Sequence, residues 1–206
     1  MIIVGIDYSI TSPGICVHTG EAWSFDSCEF YFFNKKKHSP QLQHSSITNL
    51  FCIDYYTDQI GCQTDLERFT FLSNTVCNII DSVSLRHKEM GSPLIFIEGY
   101  SFGSSGSRTF QIAENTGILK YRLASKTVSE SDIVSVPPSV IKKFATTKGN
   151  ANKEMMEQAF IKETRVSFRD ILEQSPKQYN PSSDIIDAYY ICKYGFESMM
   201  QQCLCR

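Results

Sequence analysis

Ile2-Ile3-Val4-Gly5-Ile6-Asp7 decides how the rest of the chain is read. A short, β-branched, apolar run has the composition and length of a buried strand. It ends on a carboxylate, and a charge set directly after buried apolar residues is costly unless it is paired. Ser12-Pro13-Gly14 reads as a tight turn. Ile15-Cys16-Val17-His18 then returns as a second strand, and the aromatic-rich run from Trp23 to Phe33 reads as a third. The expectation is an antiparallel meander at the N-terminus.

Downstream the pattern changes to strands alternating with helices. Thr64-Asp65-Leu66-Glu67 has capping-box spacing. Leu66, Phe69, Leu72, Val76, Ile79 and Val83 follow at helical intervals, which predicts an amphipathic helix. Gly91-Ser92-Pro93 breaks the chain before Leu94-Ile95-Phe96-Ile97, a second buried strand that ends on Glu98. A glycine- and serine-rich loop runs from Gly99 to Ser107, and Thr109 to Ala124 is helical in pattern. Ile133 to Val136 is a strand stopped by Pro137-Pro138; Ser139 is a candidate cap for a short helix after it. Asn150 or Asn152 is placed to start another helix, and the last one begins near Ser182-Ser183. This order predicts one α/β domain with a mixed central sheet, antiparallel N-terminal strands and helices on both faces. The stretch from about 34 to 63 reads as a long loop or insertion, with a basic run Lys35-Lys36-Lys37-His38 near its start.

Composition narrows the class. Of 206 residues, 42% are hydrophobic, enough for a sizeable core. No stretch is long and apolar enough to span a bilayer, and no signal peptide is apparent, so a cytoplasmic location is expected. The eight cysteines form no C-x-x-C pair and no zinc-ribbon spacing, so reduced thiols are expected. The net charge of −2 does not announce a nucleic-acid binder, but what matters is whether cations gather on one face. Lys142, Lys143, Lys148 and Lys153 are the best such cluster. The four histidines, His18, His38, His44 and His87, show no catalytic spacing.

The acidic residues carry the chemistry. Asp184 and Asp187 are three apart on a helix and share a face. The helix dipole accounts for Asp184 in the first turn. It does not account for Asp187, set between Ile186 and Ala188 on an apolar helix. Carboxylates drawn together from separate elements repel unless cations neutralise them. Oxygen-only ligands favour hard ions such as Mg2+, with Mn2+ able to substitute. Two such ions can clamp a phosphodiester and activate water.

The ordered set of motifs resembles the RuvC family of Holliday junction resolvases, within the RNase H-like superfamily. Gly5-Ile6-Asp7 with Ser12-Pro13-Gly14 looks like the opening acidic strand and turn, and Ile97-Glu98 like the second acidic motif. Thr116-Gly117 within Ile112 to Leu123 resembles a helix that carries a small glycine contact. Val140-Ile141-Lys142-Lys143 with Lys148-Gly149-Asn150-Ala151-Asn152-Lys153 resembles the basic segment, and Asp184-Ile185-Ile186-Asp187-Ala188 the closing D-x-x-D-A helix. The resemblance covers nearly the whole chain except about 34–63.

It implies that Asp7, Glu98, Asp184 and Asp187 are a metal-binding catalytic set for Mg2+, and that Lys142 and Lys153 lie near the scissile phosphate. It also implies a homodimer that cuts a four-way DNA junction symmetrically, matching the junction's own twofold. Tyr100 and Phe102, in the loop after Glu98, are the aromatics placed to stack on a base; Arg108 and Lys120 extend the same surface. Other readings stay open. The same fold can serve a flap or branched-DNA nuclease, a ribonuclease, or an inactive DNA-binding module. Actin-like ATPases share the opening G-I-D strand, but they need two such halves.

Overall fold

The computed structural model describes residues 1–35, 49–55, 62, 64–100 and 107–204. Within them the elements run β1 (Ile2–Asp7), β2 (Gly14–Thr19), β3 (Cys28–Asn34), β4 (Leu50–Asp54), α1 (Asp65–Arg86), β5 (Leu94–Glu98), α2 (Ser107–Lys126), β6 (Ile133–Val136), α3 (Pro138–Thr146), α4 (Lys153–Thr164), α5 (Phe168–Ile171) and α6 (Ser182–Leu204). They build a six-stranded sheet in the order β4-β3-β2-β1-β5-β6. The pairs β1–β2 and β2–β3 are antiparallel, as the meander predicts. The pairs β1–β5, β5–β6 and β3–β4 are parallel, so the sheet is mixed.

Strand alternation sorts side chains onto two faces. Ile2, Val4 and Ile6 of β1, with Ile95 and Ile97 of β5, pack beneath α1 and α2, meeting Val76, Ile80, Leu119 and Leu123. Ile3 and Phe96 face the other way, toward Ile185, Ala188, Tyr189 and Cys192 of α6 and toward α3 and α4. Helices therefore cover both faces. By the same alternation Asp7 and Glu98 fall on the α6 face, at the C-terminal ends of neighbouring parallel strands.

Helix α6 lies unusually close to the sheet. A Cβ added to Gly5 would come within 2.7 Å of the Cys192 Cα and still closer to the Ala188 carbonyl oxygen. One added to Gly14 would come within 3.0 Å of the Ile185 nitrogen and closer to the Asp184 carbonyl. Two hydrogen atoms thus stand where side chains would hold the helix away. The reward is dry contact: Ile185, Ile186, Ala188, Tyr189, Tyr190, Ile191 and Cys192 are all buried. Each large side chain among them contributes about 1.5–3 kcal/mol through burial.

Several sequence expectations shift. The stretch expected to be a long loop contains β4, whose Leu50–Asp54 pairs in parallel with Phe30–Asn34 at the sheet edge. Four apolar residues ending on Asp54, inside a polar segment, are too short a run to be distinguished by periodicity alone. The third strand begins only at Cys28, because Phe25–Ser27 forms a 3-10 turn capped by Ser24. Ser139 does not cap α3, which starts at Pro138 with no side-chain cap; a proline's fixed φ suits that first position. Of the two asparagines, Asn152 caps α4, accepting from the Met155 N–H. The capping box at Thr64 and Glu67 forms as expected, yet Leu66 points to solvent. Gly117 makes no close contact with the described residues: an added Cβ would meet none of them within 4 Å. Lys36, Lys37, His38, His44 and Phe102, and the side chain of Arg108, lie outside the described residues.

Gly5→Ala tests the close approach. The expected loss in a denaturant titration is about 3 kcal/mol, because the clashing partners are backbone atoms of a packed helix. A loss below about 1 kcal/mol would mean that α6 moves aside freely.

Candidate metal centre and nucleic-acid interface

Three elements deliver the four carboxylates. Asp7 closes β1, where its cross-strand partner is Gly14. Because the first turn of α6 rests on Gly14, Asp184 is brought above the end of β1. Asp187 follows one turn later on the same helix face. Glu98 closes β5, one residue beyond the Ile6–Ile97 pair that fixes the register with β1. Asp184 is buried, and the other three retain a partial opening to solvent.

The electrostatics show that the four form one system. Burial pushes the Asp7 carboxyl well above its ordinary 3.8, and Glu98, Asp184 and Asp187 each push it further. Burial raises Asp187 to about 8, with Glu98 and Asp184 adding to the effect. Burial raises Asp184 to about 6, against the opposing pull of Ser12 and Lys153. Glu98 is raised by burial and by Asp184, and lowered by Lys142. Desolvation and like-charge repulsion therefore act together on one small region.

Two predicted lysines reach the cluster. Lys153 opposes the shifts of Asp7, Asp184 and Asp187, and Lys142 those of Glu98 and Asp187. The Lys153 ammonium donates to Asn180 Oδ1 at 2.9 Å and to Ser183 Oγ at 3.1 Å. Lys143 and Lys148 are exposed on α3 and the turn after it. Among the described residues, no hydrogen bond or ion pair joins their ammonium groups to the carboxylates.

Asp184 has partners that sequence reasoning did not single out. Ser12 Oγ donates to its Oδ2 at 2.8 Å. Asn180 Nδ2 donates to both oxygens, at 2.9 and 2.6 Å, and Ser183 Oγ lies 3.3 Å from Oδ1. The available signal is the dipeptide Asn180-Pro181, a helix-start marker four residues before Asp184. Nothing in the sequence links Ser12 to Asp184.

The donor set suits a hard divalent cation. It consists of oxygen ligands only, carries more negative charge than Lys142 and Lys153 offset, and sits partly desolvated. As the side chains stand, no three described His, Cys, Asp or Glu groups converge tightly enough to enclose an ion. Both Asp184 oxygens are occupied by Ser12 and Asn180, so enclosing an ion takes side-chain rotation.

Two clefts open beside the cluster. One of about 200 Å3 is lined by Asp7, Glu98, Ser9, Tyr100 and Thr116. Its neighbour, about 550 Å3, is lined by Tyr100, Lys120, Ser135, Lys142 and Gly149. Tyr100 belongs to both and is 45% exposed. The Lys120 ammonium lies 5.7 Å from its ring centroid and 2.7 Å from Ser135 Oγ. A larger cavity, about 960 Å3, lies between α1 and α2 and includes none of the four carboxylates. Size does not locate the chemistry here; the converging charges do.

No protein-family model matches the sequence, and no curated protein matches it either. Solved structures do match. Thermus thermophilus RuvC is 18% identical, with a TM-score of 0.54 over 98% of this chain and 97% of that one. T. thermophilus RuvC in complex with a Holliday junction substrate is 17% identical, with a TM-score of 0.53 over 98% and 96% of the two chains. This chain has the RuvC fold. The mixed sheet expected from the sequence is thus present, and β4, which falls in the stretch read as an insertion, forms its edge. No described helix is long and apolar enough to cross a membrane.

The raised carboxyls make stability depend on pH in a definite direction. A folded chain with raised carboxyls holds protons that the unfolded chain has released. Their contribution is complete below the ordinary 3.8 and is lost as pH rises through about 6 for Asp184 and about 8 for Asp187. Without metal, the melting temperature is expected to fall across that window. Mg2+ should restore it by binding the folded state, and Asp187→Asn should flatten the fall. A wild-type profile that matches Asp187→Asn at every pH would refute the coupling.

Proposed function

We propose that this chain is a Mg2+-dependent, structure-selective endonuclease that resolves four-way DNA junctions. The observation that carries the proposal is the meeting of Asp7, Glu98, Asp184 and Asp187 at the ends of β1, β5 and α6, with Lys142 and Lys153 beside them. The RuvC fold supports the junction as substrate.

Asp7, Glu98, Asp184 and Asp187 would hold the metal. Bound there, Mg2+ would activate water and stabilise the leaving oxygen of a phosphodiester. Lys142 and Lys153 bring positive charge to the rim of an acidic site, where a phosphate would otherwise be repelled. Tyr100 offers an exposed ring to an unstacked base, and Lys120 keeps a cation over that ring. Ser12 and Asn180 hold Asp184 in one orientation. Lys143 and Lys148, exposed beside Lys142, would extend the proposed DNA surface, and Phe102, outside the described residues, is proposed for it on the motif resemblance alone. A homodimer would present two such sites with the symmetry of the junction. Leu66, Phe110 and Tyr121, exposed on α1 and α2, would supply apolar contacts to a second copy.

The deciding experiment is cleavage of labelled synthetic four-way junctions in Mg2+, beside linear duplex, flap and RNA–DNA hybrid controls. Paired symmetric cuts are expected in the junction, reduced about 100-fold or more by Asp184→Asn. Cutting confined to flaps or hybrids would replace the junction by another substrate. No metal-dependent cutting of any substrate would overturn the enzyme assignment. In binding assays with the same junction, Lys142→Ala is expected to reduce the salt slope by about 1. An unchanged slope would remove Lys142 from the phosphate contacts.

A further inference from the structure

Residues 172–181, between α5 and α6, form no helix or strand, yet side chains knit them firmly in place. Arg169 makes two hydrogen bonds to Glu157 of α4, at 2.7 and 2.8 Å. Its Nη1 also donates to the carbonyls of Ser175 at 3.1 Å and Gln178 at 2.8 Å. Tyr179 lies beneath both cations, its ring centroid 5.3 Å from the Arg169 guanidinium carbon and 5.5 Å from Lys153 Nζ. Gln178 Nε2 donates to the Asn180 carbonyl at 3.1 Å, and Gln174 donates to the same oxygen. An exposed asparagine is thereby delivered to a fixed place.

The Asn180 amide stands between opposite charges. Its Nδ2 donates to both oxygens of Asp184, at 2.9 and 2.6 Å, while its Oδ1 accepts from Lys153 Nζ at 2.9 Å. An amide has a donor end and an acceptor end, and only one orientation satisfies both neighbours. Lysine is a compact charge on a flexible stem. Ser183 Oγ also touches both, 3.1 Å from Lys153 Nζ and 3.3 Å from Asp184 Oδ1, but without Asn180 the flexible ammonium could swing past it onto Asp184 and form a direct ion pair. That pair would neutralise a proposed metal ligand and take the ammonium away from an incoming phosphate.

We propose that Asn180 is a positioning residue, a neutral spacer that keeps Lys153 beside Asp184 without letting the two pair. The spacer is neutral, so a cation can displace it from the Asp184 oxygens more easily than it could a paired ammonium, and it holds Lys153 ready for the phosphate. This inference rests on the nuclease reading above, which supplies the roles of both partners. It also accounts for the strap, whose bonds fix Asn180 from the backbone side.

The test uses the full chain as wild type, Asn180→Ala, Lys153→Ala and the double variant. Two quantities are read: the Mg2+ midpoint of thermal stabilisation, and kcat for junction cleavage. In Asn180→Ala the Mg2+ midpoint is expected to rise about tenfold and kcat to fall about tenfold, as for other partners that orient metal ligands. The metal-free melting temperature should stay close to that of wild type. Removing Lys153 as well should return the Mg2+ midpoint to the Lys153→Ala value, because the competing ammonium is gone. A double variant still weak for Mg2+, or an Asn180→Ala protein already melting early without metal, would overturn the spacer and leave an ordinary structural role. If wild type responds to Mg2+ and Asn180→Ala matches it, the spacer alone fails. If wild type shows no Mg2+ response, the metal centre beneath both proposals fails.

Discussion

Helix α6 can touch the sheet backbone because Gly5 and Gly14 present no side chain beneath it. Everything at the site depends on that approach. Asp184 begins the helix over Gly14, whose cross-strand partner is Asp7. Asp187 follows one turn later, and the parallel pairing of β1 with β5 brings Glu98 alongside. The buried apolar residues between Ile185 and Cys192 hold the helix down. Hydrophobic packing therefore forces together carboxylates that would not gather unaided.

The result is a locally frustrated region in an otherwise consistent fold. Four acidic groups share a partly desolvated space, and two lysines offset only part of the repulsion. Sites that break the ordinary rules of burial are where function concentrates. Protonation relieves the strain at low pH, and a divalent cation would relieve it at neutral pH while binding the folded state. The same unbalanced charge would favour a hard cation over a neutral ligand at this site.

A polar network surrounds this charge and gives it direction. Ser12 comes from the turn after β1, Asn180 from the strap before α6, and Lys153 from the first turn of α4. They meet around Asp184, so the geometry of one carboxylate is set by three separate elements. Lys142, on α3, opposes the shifts of Glu98 and Asp187. Between the cluster and the neighbouring cleft stands Tyr100, with Lys120 bridging its ring and Ser135 of β6.

The strands β1, β2, β5 and β6, the helix after Thr64 and the closing helix were legible because their periodicities and caps are local properties of the chain. The four acidic positions stood out for the same reason: each interrupts an apolar pattern that burial would otherwise favour. Other features were not legible. The edge strand β4 is short and isolated, and its partner β3 decides its state. Leu66 keeps helical spacing with the apolar face, but no described element covers the end of α1 where it lies. Gly117 sits in a motif resembling a close contact, and the packing leaves it open. Ser12 carries no local mark of its bond to Asp184, because it lies 172 residues away and meets it only after α6 docks, whereas Asn180, four residues before Asp184, is marked only by the Asn180-Pro181 helix start. By itself the sequence determined the elements and the residues with unusual charge. The tertiary structure alone decided which of them touch, because contact depends on a helix settling on two glycines.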